Sequence, residues 1–112
     1  MSWNAVCSVS DLAVDRGAAA LVDGQQVAVF RLASGDVYVV DHHDPFSGAN
    51  VMARGLVGSR GDVPTVASPI YKQVFDLRTG ECLDDDSTAL RSWPVRIIDG
   101  IVEIDDLGAD GA

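Results

Sequence analysis

The chain has 112 residues, 47% of them apolar, with 17 acidic side chains against 8 basic ones and a formal net charge of -9. That length makes a single domain with enough apolar material for a core, and the negative charge excludes nucleic acid and an anionic membrane surface as partners. No apolar run approaches the ~20 residues of a membrane helix and the start lacks a charged-then-apolar leader pattern, so a cytoplasmic protein that neither spans nor binds a membrane is expected.

In chain order, Ala18 to Val22 and Gln25 to Leu32 are β-favouring runs separated by Asp23-Gly24, a dipeptide whose tolerance of positive φ suits a two-residue hairpin turn. Ala33-Ser34-Gly35-Asp36 then breaks the chain before a third run, Val37 to Val40. Near the end, Val95 to Ile98, Asp99-Gly100 and Ile101 to Ile104 repeat the same hairpin grammar. No stretch carries apolar residues at helical spacing over three turns, and short strands at regular intervals predict an all-β fold, a small antiparallel barrel or sandwich. Residues 42–84 hold three of the four prolines and both histidines, which predicts an inserted, loop-rich lobe with strands only at Thr65 to Ser68 and Gln73 to Asp76. The fold is expected to occupy residues 1–104, with 105–112 as a flexible acidic tail.

Few constellations invite chemistry. Asp41-His42-His43-Asp44 is the densest group of possible metal ligands, but neighbouring side chains on an extended segment face opposite ways, so His42 and His43 do not share an ion. Asp84-Asp85-Asp86 lacks the glycine and distal glutamate of a calcium loop and reads as a solvated turn. Gly55, Gly58 and Gly61 beside Arg54 and Arg60 read as a flexible crossing loop, with an anion cradle or small-molecule site as the alternative. Cys7 and Cys82 have no second thiol near them in sequence, and no nucleophile elbow or Cys-His pair is present. The chain is expected to be non-catalytic on its own, with no metal site.

Two segments are more specific. Asp41 to Phe46 and Ser68 to Glu81, the latter reading Ser-Pro-Ile-Tyr-Lys-Gln-Val-Phe-Asp-Leu-Arg-Thr-Gly-Glu, resemble the two cluster-binding loops of Rieske ferredoxins, whose second loop reads C-P-x-H-G-x-x-F-D-L-x-T-G. Rieske domains hold a [2Fe-2S] cluster with two thiolates on one iron and two imidazoles on the other. The resemblance puts those four ligand positions at Asp44, Phe46, Ser68 and Tyr71, none of them cysteine or histidine. With Asp44-Pro45-Phe46-Ser47-Gly48, Arg54-Gly55, Ala67 to Gln73 and Cys82-Leu83-Asp84-Asp85, the chain further resembles the small subunit of assimilatory NAD(P)H-dependent nitrite reductase, a Rieske-like domain that has lost its ligands.

That resemblance implies a Rieske-like fold and a non-catalytic subunit without a cofactor, a [2Fe-2S] assignment being possible by homology only. It implies a large partner subunit carrying FAD, a [4Fe-4S] cluster and sirohaem, which reduces nitrite to ammonia. An electron-transfer ferredoxin of Rieske type is the alternative. Loss of the cluster predicts that Phe46 and Tyr71 pack inside the lobe in its place, with Tyr71, or Phe46 if that ring is exposed, as the aromatic anchor for the partner. Residues 54–78 hold four basic and two acidic residues in an otherwise acidic chain, so Arg54, Tyr71, Lys72 and Arg78 are expected to face the large subunit. The competing reading is that these charges only balance neighbouring carboxylates.

Overall fold

The structure, a computed structural model, describes residues 3–85 and 87–105. Among them, ten strands and two single turns of 3-10 helix follow one another in the order β1 (Trp3–Ser8), a turn at Val9–Asp11, β2 (Arg16–Val22), β3 (Gln25–Arg31), β4 (Val37–Asp41), a turn at Met52–Arg54, β5 (Leu56–Arg60), β6 (Val63–Ala67), β7 (Val74–Asp76), β8 (Ser92–Trp93), β9 (Val95–Ile98) and β10 (Ile101–Asp105). They form three antiparallel sheets, β1-β10-β9, β2-β3-β4-β8 and β5-β6-β7, rather than one closed barrel. No helix among the described residues is long and apolar enough to cross a membrane.

Both Asp-Gly dipeptides turn hairpins. Asp23 and Gly24 have φ of 51° and 79°, and Asp99 and Gly100 of 52° and 78°, the doubly left-handed turn whose twist matches that of the strands it joins. The first sets the register of β2 on β3, with Val22 opposite Gln25, and the second that of β9 on β10, with Ile98 opposite Ile101.

The middle sheet is buried on both faces. Val27, Ala28, Val29 and Phe30 of β3 are all fully buried, and because successive side chains of a strand alternate in direction they feed two different cores. Val27 and Val29, with Val37 and Val39 of β4, pack against Trp93, Val102 and Ile104. Ala28 and Phe30, with Val40, pack against Met52, Val66, Phe75, Leu77 and Leu90. The inserted lobe therefore covers one face of β3 and β4 while the β1-β10-β9 sheet covers the other.

Three strands depart from the sequence reading. Residues 55–61 are no flexible crossing loop: β5 pairs with β6 from Leu56 opposite Ala67 to Arg60 opposite Val63, with Gly61 at φ 60° in the turn. Gly58 interrupts the apolar pattern that would have announced the strand. β1, whose register shifts between Ala5 and Cys7, and the two-residue β8 also carry patterns too short or irregular to read. Asp105, assigned to the tail, is buried in β10 opposite Trp3; residues 106–112 of the expected tail lie outside the described residues.

Glycines weld the lobe to the sheet. A Cβ on Gly17 of β2 would collide with the carbonyl oxygen of Ala53 and lie 2.6 Å from the Phe30 ring, and one on Gly55 would stand 2.6 Å from both the Ala67 carbonyl oxygen and Val66 Cγ2. These contacts press the Met52–Arg54 turn between β2 and β6. Gly55→Ala is accordingly expected to cost ~1–3 kcal/mol, the usual penalty of overpacking. Gly58→Ala, whose Cβ would sit 3.5 Å from Thr65 Oγ1, is expected to be neutral or stabilising by ~0.5–1 kcal/mol. Urea unfolding of the two variants checks both signs.

Candidate functional site

The loops that correspond to the Rieske cluster loops leave β4 and β6, and each is folded around its own first polar residue. In the first loop Asp44 donates its N–H to the Ala49 carbonyl and accepts from the Gly48 N–H, both at 2.8 Å. In the second, the Ser68 N–H donates to the Gln73 carbonyl at 2.9 Å. The side chains then join the loops: Ser68 Oγ donates to Asp44 Oδ2 at 2.6 Å. Both residues are buried, Asp44 with 0% of its surface exposed.

A buried carboxylate is tolerated only where donors surround it. Asp44 has them, its Oδ1 accepting from the Phe46 N–H at 2.9 Å and its Oδ2 from Ser47 Oγ at 2.9 Å as well as from Ser68. Burial pushes the Asp44 carboxyl up, but the hydrogen bonds from Ser68, Phe46 and Ser47 outweigh it and hold the group below the ordinary carboxylate range. Asp44 is an anion in the fold, and it serves as the knot between the loops.

The donor set does not fit a [2Fe-2S] cluster. Such a cluster needs two soft thiolates and two imidazoles on adjoining irons, whereas the corresponding side chains are an aspartate and a serine committed to each other, a phenylalanine and a tyrosine. Neither histidine substitutes. His42 is buried and its Nδ1 accepts the Ala53 N–H at 3.1 Å, tying β4 to the Met52–Arg54 turn. Burial, then the nearby Arg54 charge, hold its pKa down against the opposing pull of Asp41. His43 is exposed and its Nδ1 meets Asn50 Oδ1 at 3.1 Å. The two rings diverge, as their adjacency in the sequence implies, and no group of three possible metal ligands occurs among the described residues.

Phe46 is half-buried, its ring centroid 6.1 Å from that of Phe75, so it contributes to the lobe core. Tyr71 does not: 60% of its surface is exposed. The expectation that both rings pack inside the lobe is therefore corrected for Tyr71, and the buried contact that joins the loops is polar, the Asp44–Ser68 bond. Lys72, beside it at the loop tip, is exposed and holds a left-handed φ of 65°. Arg54 is exposed next to the Met52–Arg54 turn's junction with β5. Arg78 instead folds back, its Nη2 3.1 Å from Asp76 Oδ2 and its N–H donating to Asp76 Oδ1 at 2.8 Å. The Phe-Asp-Leu-Arg-Thr-Gly segment is thus a self-braced turn: the Gly80 N–H donates to the Asp76 carbonyl at 2.7 Å, and Gly80, at φ 83°, abuts the Leu90 carbonyl. Asp84 takes Arg60 at 3.1 Å and the Val74 N–H at 2.9 Å, and Asp85 binds Ser87; Asp86 lies outside the described residues.

The model of the Rieske-like [2Fe-2S] domain family matches residues 2–105. A nitrite reductase (NADH) small subunit from Salmonella typhimurium is 36% identical over 103 residues, covering 91% of this chain and 95% of the relative. The chain belongs to the Rieske-like small-subunit family of NADH nitrite reductases. A solved structure from Mycobacterium tuberculosis, described as an NADH-dependent nitrite reductase small subunit, superposes on 92% of the chain and 93% of its own length with a TM-score of 0.88 at 45% identity. A nitrite reductase [NAD(P)H] large subunit from Klebsiella oxytoca contains a stretch 40% identical over 100 residues, 89% of this chain; the chain spans only 10% of that protein. The ferredoxin of carbazole 1,9a-dioxygenase from Nocardioides aromaticivorans shares the fold, with a TM-score of 0.78 at 21% identity.

Loss of the Ser68 hydroxyl tests the role of the bond in this small-subunit family member. A hydrogen bond to a buried charge contributes ~1.5–3 kcal/mol, and Ser68→Ala is expected to lower stability by that amount at pH 7. Because the folded Asp44 pKa lies below its unfolded value of ~3.9, its contribution is present above that pH and disappears as pH falls through the folded value. Ser68→Ala raises the folded value, so acid unfolding followed by circular dichroism shifts to higher pH. Tyr71→Ala, at an exposed ring, leaves both curves in place.

Proposed function

We propose that this chain is a non-catalytic small subunit of an NAD(P)H-dependent nitrite reductase, working in the cytoplasm bound to a large subunit that carries the FAD, [4Fe-4S] cluster and sirohaem and reduces nitrite to ammonia. The observation that carries this reading is the Asp44–Ser68 bond at 2.6 Å in a chain 36% identical to a small subunit across 95% of that relative. The bond supports a structural role, because two oxygens committed to each other supply no thiolate for an electron-carrying iron. The Klebsiella relative adds weight from another side. A large subunit that includes a similar stretch within its own polypeptide is what two surfaces that normally pack together would look like when joined in one chain.

The lobe tip supports an orientation for that packing. Tyr71 and Lys72 stand exposed at the apex of the second loop and Arg54 beside it, so we assign them to the face turned towards the large subunit, with Arg78 left out because Asp76 already neutralises it.

The electron-transfer alternative separates cleanly from this reading. Protein purified under anaerobic conditions is expected to be colourless and to contain neither iron nor acid-labile sulfide, while an affinity-tagged chain brings down a large subunit that oxidises NADH when nitrite is added. Stoichiometric iron and sulfide would establish the ferredoxin instead.

A further inference from the structure

The chain has eight basic residues, and their side chains divide sharply by what they touch. Arg60 pairs with Asp84, Arg78 with Asp76 and Arg96 with Glu103. Arg31 donates to the Val9 and Leu12 carbonyls, and Arg91 reaches Gln25 and lies over the Trp93 ring. Arg16, Arg54 and Lys72 remain, with no side-chain hydrogen bond or ion pair among the described residues.

These three come from distant parts of the sequence, yet they line one continuous depression. Arg16, Gly17, Ala53, Arg54 and Leu56 border one hollow, and Arg54, Leu56, Ser68, Pro69 and Lys72 border the next, so that Arg54 and Leu56 belong to both. The close approaches at Gly17 and Gly55 are what bring the start of β2, the Met52–Arg54 turn and the second loop together. Leu56 stands on the ridge between the hollows with 77% of its surface exposed, the largest value among the exposed large apolar residues described. The single carboxylate in the depression, Asp15, accepts the Ala33 N–H at 3.2 Å through Oδ1. Leu21, 69% exposed, borders a hollow with Ala19, Ala20 and Gln26 and no cation, and Ile97 and Ile98 follow Arg96, which Glu103 and the Trp3 ring already occupy.

We propose that this depression, with Leu56 as its anchor and Arg16, Arg54 and Lys72 around it, binds an acidic segment of the large subunit that presents an apolar pocket or side chain to Leu56. The inference rests on the subunit reading and adds to it a residue outside the lobe, Arg16, and a central contact. In a molecule of net charge -9, a rim of three cations that the one carboxylate of Asp15 offsets only in part gives an acidic partner one favourable approach and the remaining surface repels it. A protruding leucine at the centre supplies the desolvated contact around which such a rim is effective.

The test titrates the full-length chain and its variants onto the purified large subunit. Leu56→Ala is expected to weaken the Kd about 30-fold or more, as for an interface anchor. Arg16→Glu is expected to slow association about tenfold at low ionic strength, an effect that shrinks once salt reduces the Debye length to a few ångströms. Arg60→Glu, at a position already paired with Asp84, serves as control and changes the Kd by no more than about twofold. Melting curves matching the wild type for Leu56→Ala and Arg16→Glu, both exposed, tie any loss to the surface. If the wild-type chain binds and both variants bind equally well, this surface is wrong while the subunit reading stands; if the wild-type chain does not bind at all, both fall.

Discussion

A single hydrogen bond between Ser68 Oγ and the Asp44 carboxylate, 2.6 Å long and out of contact with water, carries the organisation of the lobe. Two loops 24 residues apart in sequence have to be held at a fixed separation. In a Rieske domain four metal–ligand bonds do that; here a charge-assisted bond and the donors around it do. Placing an anion in the interior is costly unless it is fully solvated by the protein, and this requirement dictates the local chain path: Ser47 and the Phe46 N–H must turn inward, and the loop must close on itself through Gly48 and Ala49. Once Asp44 is fixed, Phe46 is delivered to Phe75 and the lobe core closes over β3 and β4.

Local chemistry made much of this fold legible in the amino-acid sequence. Asp23-Gly24 and Asp99-Gly100 each determine a turn through two adjacent residues, and the strands on either side follow from alternation. β5 was hidden because Gly55, Gly58 and Gly61 look like a loop, whereas their meaning is close approach at Gly55, a strand interior at Gly58 and a positive φ only at Gly61. β1 pairs with the far end of the chain, and its irregular register erases the alternation.

The site was legible to a different depth. Resemblance of the flanking prolines and of the Phe-Asp-Leu-Arg-Thr-Gly turn located Asp44, Phe46, Ser68 and Tyr71, but no property of Asp44 or Ser68 taken separately says that they bond. That contact exists only because β4 and β6 deliver them from separate sheets. Of the two readings of Tyr71, the interior one assumed that an aromatic must fill the space a metal leaves, whereas the ring stands exposed and the buried contact between the loops is the Asp44–Ser68 bond. For the cations, the charge count of residues 54–78 was visible, but which of them are neutralised was not. Arg78 is quenched by Asp76 two positions away, while Arg16, counted with the acidic part of the chain, joins Arg54 through the packing at Gly17.

The double-sided burial of β3 has a consequence for how such a domain can change. Ala28, Phe30 and Val40 are covered by the lobe, and Val27, Val29 and Val39 by the opposite sheet. A lineage that dispenses with a metal centre could in principle discard the segment that housed it, but trimming the lobe here would leave Phe30 and Val40 facing water on the back of strands whose other side is the heart of the fold. The ligands themselves can change so long as another contact, here the Asp44–Ser68 bond, ties the loops together, and the loops that bear them are not free to disappear. Retention of a Rieske-like lobe whose donor set does not fit a cluster thus follows from the geometry of one strand, before any selective advantage of the lobe itself is considered.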